Sequence, residues 1–318
     1  RHQPGRRRGL DGTVSVRLAT GPVSWGVDFA DSPDNPPWRE VLAGIGRSGY
    51  RWTELGPIGY LPEDPELLAP ELERLGLHVA GSFVFEPLHD GLRLAEIVSA
   101  TRRACRAIRG AGGRFLVVID LVDPERVVSA GRPEAAPRLP WRRWLALVNG
   151  IEAVAAVARD EFGLRPVFHP HVGSWVEFED EIERLLDALD PQTIGLCLDT
   201  GHCAYAGVDP VRLYERHAAR VEYLHLKDVH ARVLHRTLSE PLDFWAAITA
   251  GIFCPVGAGL VDFRALARSL ERHGFDGPAT VEQDRDARQG TNPLPDVVAS
   301  RSYLETLGLG ERRKARTA

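Results

Sequence analysis

The chain has 318 residues, 44% of them hydrophobic and 26% charged, with a formal net charge of -5. This is a globular composition, and its mild acidity excludes a protein built mainly to neutralise phosphate, which needs a clustered basic excess. No run approaches the roughly 18 uninterrupted apolar residues of a membrane span; the best segment, Phe115 to Ile119, is broken by Asp120.

Arg1, Arg6, Arg7 and Arg8 open the chain, and Arg312, Arg313, Lys314 and Arg316 close it. Residues 1–13 and 311–318 therefore read as disordered basic tails around a single domain at 14–310. The first tail lacks the apolar stretch of a targeting peptide, so the cytoplasm is the expected compartment. Four scattered cysteines, Cys105, Cys197, Cys203 and Cys254, form no C-x-x-C pair and suit a reducing environment.

Short apolar or β-branched runs alternate with stretches of helical period. In chain order the strand-like runs are Arg17–Trp25, Tyr50–Gly56, His78–Phe85, Arg114–Asp120, Arg165–His171, Ile194–Thr200, Val221–Asp228 and Pro278–Asp284. Helical spacing is clearest in Glu177–Leu189 and in Asp262–His273, which a Gly274 stop follows. Alternation of this kind implies a parallel sheet, and eight units of about forty residues fit a (β/α)8 barrel, an α/β fold. A doubly wound sheet fits less well, because no G-x-G-x-x-G follows the first strand. Two connections are long, 121–140 and 229–260. In a barrel both emerge on the C-terminal face and are lid candidates; the second carries a short helix around Phe244–Ile248.

Four strand ends carry metal-capable groups. Alternate strand residues face opposite ways. His169 and His171 thus share a face, as do His225 and Lys227, while Phe168, Leu224 and Leu226 face the other way. Asp199 likewise opposes Leu198, and Glu282 opposes Val281. The polar set points into the barrel, where two imidazoles and two carboxylates are most simply satisfied by one divalent cation held by His169, Asp199, His225 and Glu282. Mixed N/O ligation suits Mn2+, Co2+, Fe2+ or Zn2+.

The segments HPHVGSWVEFEDEIERLLDALDP, GLCLDTGHCAYAGVDP, VEYLHLKDV and VEQD, with TELGPIGYLPEDP nearer the start, resemble the inosose dehydratase branch of the xylose-isomerase-like TIM barrels. D-T-G-H and H-L-K-D are the specific parts, and the resemblance spans most of residues 15–308. It implies a divalent metal on His169, Asp199, His225 and Glu282, with Mn2+ or Co2+ favoured, and an association with glutathione. Sugar isomerases and epimerases of the wider superfamily typically have Glu where this chain has His169. Epimerases commonly use two opposed glutamates, so the replacement favours single-base chemistry such as dehydration β to a ketone.

Only Lys227 and Lys314 are lysines among 39 basic residues. Lys227 is therefore expected to contact substrate oxygens or donate a proton; the alternative is an ion pair with Glu54 or Asp228. His202 and His171 are expected to contact substrate or move protons. Glu54 is expected to bind a hydroxyl or act in acid–base chemistry, and Trp25 to offer an apolar wall. Cys197 reads as core filler, and Val256 to Gly259 as a place where backbone approaches a ligand. His78, His89, His217 and His273 show no constellation, whereas His230 and His235, in the long loop, are candidates to reach the site. The leading expectation is a metal-dependent hydro-lyase acting on a polyhydroxylated cyclic ketone such as 2-keto-myo-inositol. His171 or Glu282 would be its base and Lys227 or His202 its acid. A ketose isomerase or 3-epimerase is the nearest alternative; a nuclease of the same fold, or a non-catalytic sugar-binding protein, is more distant. No nucleic-acid or membrane partner is expected, and a homo-oligomer is left open.

Overall fold

The computed structural model describes residues 15–310; the two basic tails expected from the sequence lie outside them. Eight parallel strands close a barrel: β1 (Ser15–Thr20), β2 (Trp52–Glu54), β3 (His78–Glu86), β4 (Phe115–Asp120), β5 (Arg165–Phe168), β6 (Gly195–Asp199), β7 (Val221–Leu226) and β8 (Asp276–Val281). Each strand pairs with its neighbour in sequence, and β1 pairs with β8 to close the ring. No helix among the described residues is long and apolar enough to cross a membrane.

Strand parity divides the core in two. Val117, Val167, Cys197 and Tyr223 pack inside the barrel, while Val118, Phe168, Leu198, Leu224 and Val281 join the larger layer beneath the helices. Strands buried on both faces are the rule in parallel sheets and explain the nearly continuous apolar runs. The helix Phe263–His273 shows how local signals set the boundaries: Asp262 Oδ1 accepts from the Ala265 N–H at 2.8 Å, and Gly274 leaves the helix at φ 62°.

Most observed strands are shorter than their apolar runs, although β3 runs one residue further, to Glu86. β1 ends at Thr20, after which Pro22–Trp25 form a 3-10 turn that Gly26 closes at φ 80°. The connection after β7 holds two helices, Ala231–Ser239 and Phe244–Thr249, rather than one, and a two-stranded ribbon pairs Asp228–Val229 with Phe253–Cys254. The 121–140 connection is fastened down by a buried Arg126, and none of its residues lines the cavity at the barrel mouth.

Candidate metal centre

Each strand delivers its side chain at the same end of the barrel. β6 finishes on Asp199, whose Oδ1 accepts from the N–H groups of Gly201 and His202, both at 2.8 Å, and caps the helix Thr200–Tyr205. Its Oδ2 is left for the mouth, 3.3 Å from His169 Nε2 and 3.8 Å from His225 Nδ1. His169 follows β5 directly, its N–H donating to Val118 at 2.9 Å. His225 lies within β7, and its Nδ1 is 3.1 Å from Oε2 of Glu282, the residue after β8. All four side chains are buried.

The donor set fits a divalent cation. His225 Nε2 is 3.0 Å from Glu54 Oε1, to which its N–H donates, while Nδ1 faces Glu282. An imidazole whose far nitrogen is held by a carboxylate is the usual support for a metal-ligating His. His169 Nδ1 and His225 Nδ1 are buried with no hydrogen-bond partner. Ligand-capable atoms gather in two adjacent groups, His169–Asp199–His202 and Glu54–His225–Glu282, each within 4.8 Å. Asp199 Oδ2 and His225 Nδ1, 3.8 Å apart, join the two groups, and the Lys227 ammonium lies beside them, 3.5 Å from Asp199 Oδ2 and 3.3 Å from Glu282 Oε2.

Lys227 is paired with neither Glu54 nor Asp228. Nζ donates to Asp284 at 2.8 and 3.0 Å and lies 3.1 Å from His202 Nε2. Burial works against its charge, but Asp199, Asp284 and Glu282 outweigh this and raise its pKa above the ordinary lysine value. Glu282 responds in the opposite sense: although burial favours the acid form, His225 and Lys227 lower it to about 2. The rings of His171 and His202 are 3.9 Å apart. Burial, the neighbouring histidines and Lys227 hold both well below the usual imidazole range, so both are neutral at pH 7. His171 Nδ1 lies 2.7 Å from the Val172 carbonyl oxygen, to which its N–H donates, leaving Nε2 with the lone pair.

Several expected contacts are absent. Glu54 is buried beneath the centre, where Oε1 accepts from Tyr223 Oη at 2.7 Å and Thr280 Oγ1 at 2.8 Å, and it does not line the cavity. It therefore positions His225. Glu54→Gln is expected to weaken metal binding about 10- to 100-fold with little change in melting temperature; calorimetric titration with metal checks this. Trp25 packs against Gly44, where a Cβ would sit 2.9 Å from its ring, because the 3-10 turn carries it off the strand's inward face. The apolar wall comes instead from Phe83, Phe85, Phe244 and Trp245. His230 and His235 are exposed at and on the helix Ala231–Ser239, outside the cavity. His89 does have a constellation: its Nδ1 lies 2.8 Å from Asp120 Oδ1.

The glycines after Val256 serve a carboxylate of the protein. Asp228 accepts from the N–H groups of Gly257, Gly259, Val261 and Val229 at 2.9 to 3.0 Å, and a Cβ at position 259 would collide with it. Asp228→Ala strands those buried donors and is expected to cost about 2–4 kcal/mol in urea unfolding, with Asp228→Asn recovering part.

Asp284 and Asp28, which line the same cavity, and Tyr223 and Thr280 beneath it were not singled out from sequence. Asp284 had a readable signal: it stands two residues beyond Glu282, in the same parity.

Buried imidazoles and carboxylates able to hold a divalent cation, gathered at the C-terminal mouth of a closed parallel barrel, make the chain a candidate metal-dependent barrel enzyme. Residues 44–307 match the xylose isomerase-like TIM barrel model, and the chain belongs to that family. It is 31% identical over 305 residues to the inosose dehydratase of Geobacillus kaustophilus (strain HTA426), covering 94% of this chain and 97% of that one. It is also 32% identical over 296 residues to the rhizopine catabolism protein MocC of Rhizobium meliloti, covering 90% and 86% respectively. Among solved structures, the IOLI protein with a bound zinc atom superposes with a TM-score of 0.69 at 15% identity, covering 92% of this chain and 97% of that one.

Proposed function

We propose that this protein is a metal-dependent hydro-lyase that removes water from a polyhydroxylated cyclic ketone, with 2-keto-myo-inositol as the leading substrate and manganese or cobalt as the leading metal. The reading is supported by the likeness to inosose dehydratase along nearly the whole chain. The observation that carries it against a sugar epimerase is that, among the described residues lining the cavity, Glu282 is the only glutamate. Two-base epimerisation by opposed glutamates has no second member here, since Glu54 is buried below and its Oε1 is engaged three times.

His169, Asp199, His225 and Glu282 would hold the metal, with His202 adjacent. Bound there, a divalent cation supplies Lewis acidity that polarises a ketone and acidifies the neighbouring C–H. The neutral Nε2 of half-buried His171 takes the proton from that carbon. Lys227 Nζ, held by Asp284, gives a proton to the departing hydroxyl on the next carbon, so that C–H and C–O bonds break, a C=C bond forms and water leaves. The resulting enol rearranges to the dione, and the phenylalanines around His171 limit access of bulk water to the reacting carbons.

Incubating the metal-loaded chain with 2-keto-myo-inositol, with and without glutathione, should give the ultraviolet absorbance of a trihydroxycyclohexanedione. Chelation should abolish it and added Mn2+ or Co2+ restore it. No dione, together with interconversion of free ketoses, would reverse the assignment in favour of an isomerase or epimerase.

A further inference from the structure

Asp28 stands on the loop after β1. Two residues earlier, a Cβ on Gly26 would sit 2.9 Å from Ala287 Cβ, so this loop lies directly against the chain that follows β8. The Asp28 carboxyl thereby reaches the cavity wall that Asp284, Glu282 and Lys227 also line. Its neighbour Phe29 meets the rings of Phe85 and Trp245 at 6.3 and 6.0 Å and fixes the loop across the mouth. Glu282 and Asp284 are both tied to Lys227. Asp28, by contrast, makes no hydrogen bond or ion pair with the protein among the described residues. A polar group in an aromatic-walled cavity with no protein partner is one whose partner is water or the ligand.

We propose that Asp28 is a substrate-recognition residue, which hydrogen-bonds a hydroxyl of an uncharged polyol ketone other than those that the metal would take. The inference rests on the substrate reading above. No arginine lines the cavity among the described residues, and its one ammonium is already surrounded by Asp199, Glu282 and Asp284. Apart from the metal, a phosphorylated or carboxylated substrate would therefore find no free counter-charge, whereas a neutral polyol needs only hydrogen bonds. The protonation state adds to this. Burial first, then Asp284, push the Asp28 carboxyl up to about 8; Glu282 and Asp286 act in the same sense, and Lys227 opposes them. At neutral pH Asp28 keeps its proton and donates, complementing the accepting Nε2 of His171. Above pH 8 it ionises and loses that donor.

The test uses the metal-loaded full chain as wild type, Asp28→Ala and Asp28→Asn. Turnover of 2-keto-myo-inositol is followed by dione absorbance, and binding of myo-inositol, which lacks the ketone, by calorimetry from pH 6 to 9. Asp28→Ala should raise KM tenfold or more with kcat changed less than threefold, and should weaken myo-inositol binding in parallel. Asp28→Asn, a permanent donor, should recover most of that loss at pH 7 and should abolish the wild-type decline in affinity above pH 8. The proposal is overturned if Asp28→Ala binds myo-inositol as wild type does, or if Asp28→Asn is as impaired as the alanine variant with an unchanged pH profile. A wild-type chain that forms no dione but binds myo-inositol overturns the dehydratase reading alone, and the calorimetric arm still decides Asp28. A chain that binds no polyol overturns both.

Discussion

Asp199→Asn is expected to leave the barrel folded while removing bound metal and lowering turnover by about 1,000-fold or more, equivalent to about 4 kcal/mol of transition-state stabilisation. The two carboxylate oxygens have separate tasks. Oδ1 caps the helix Thr200–Tyr205 through the N–H groups of Gly201 and His202, a role that an asparagine carbonyl also fills. Oδ2 faces His169, His225 and Lys227 and supplies negative charge where a cation would bind. An amide there presents either a neutral oxygen or an NH2 group, and the latter would oppose the Lys227 ammonium. Asp199→Ala should lose the metal equally and, with no cap, a further ~1 kcal/mol of stability. Elemental analysis for bound metal, dione formation and thermal melting separate these effects. Full metal occupancy and turnover in the asparagine variant would place the reaction elsewhere in the molecule.

Facing was the most legible property in the sequence, because it depends only on period two within a strand. Tyr223 and His225 on β7, and Cys197 and Asp199 on β6, point inward as alternation requires, and Cys197 lies in the inner core. Parity stops being informative where a strand stops. Trp25 belongs to the same run of letters as β1, but Pro22 begins a turn that carries its ring to Gly44. Depth along the barrel axis was equally hidden. Glu54 reads as a strand-end carboxylate like Asp199, yet β2 is only three residues long and its last member accepts from Tyr223 and Thr280 instead of lining the cavity. Which of two equally spaced residues ends at the mouth is decided by stagger between strands, a non-local quantity. Asp28 was illegible for the same reason: its neighbours in space, from Lys227 to Asp286, come from the other end of the chain.

Arg126→Met is expected to destabilise the protein by about 3–5 kcal/mol in urea unfolding at pH 8. The guanidinium is fully buried. It donates to both oxygens of Glu181, at 2.7 and 2.9 Å, and to the Pro137 carbonyl at 3.0 Å, and lies 3.4 Å from Glu177. Glu177 in turn accepts from the N–H groups of Gly131 and Gly173 at 2.6 and 2.9 Å. These contacts bind the 121–140 connection to the segment that carries the chain away from His171. Methionine fills the space but leaves Glu177 without its cation and Glu181 with only the half-exposed Arg138 at 2.8 Å, and an uncompensated buried charge costs more than the intact pair is worth. The cost should shrink at lower pH. Burial already raises the Glu177 carboxyl to about 7, against the opposing pull of the Gly131 N–H and Arg126. A carboxyl whose folded pKa lies above its unfolded value binds a proton on folding, so stability falls as pH rises between the two values. Without Arg126 the folded value moves higher and that falling window extends upward, so the variant's deficit should be larger at pH 8 than at pH 6. Glu177→Gln in the Arg126→Met background should remove much of this pH dependence, and a deficit independent of pH in both backgrounds would assign the loss to packing against Trp175 and Phe178, whose rings lie 5.5 and 5.0 Å from the guanidinium.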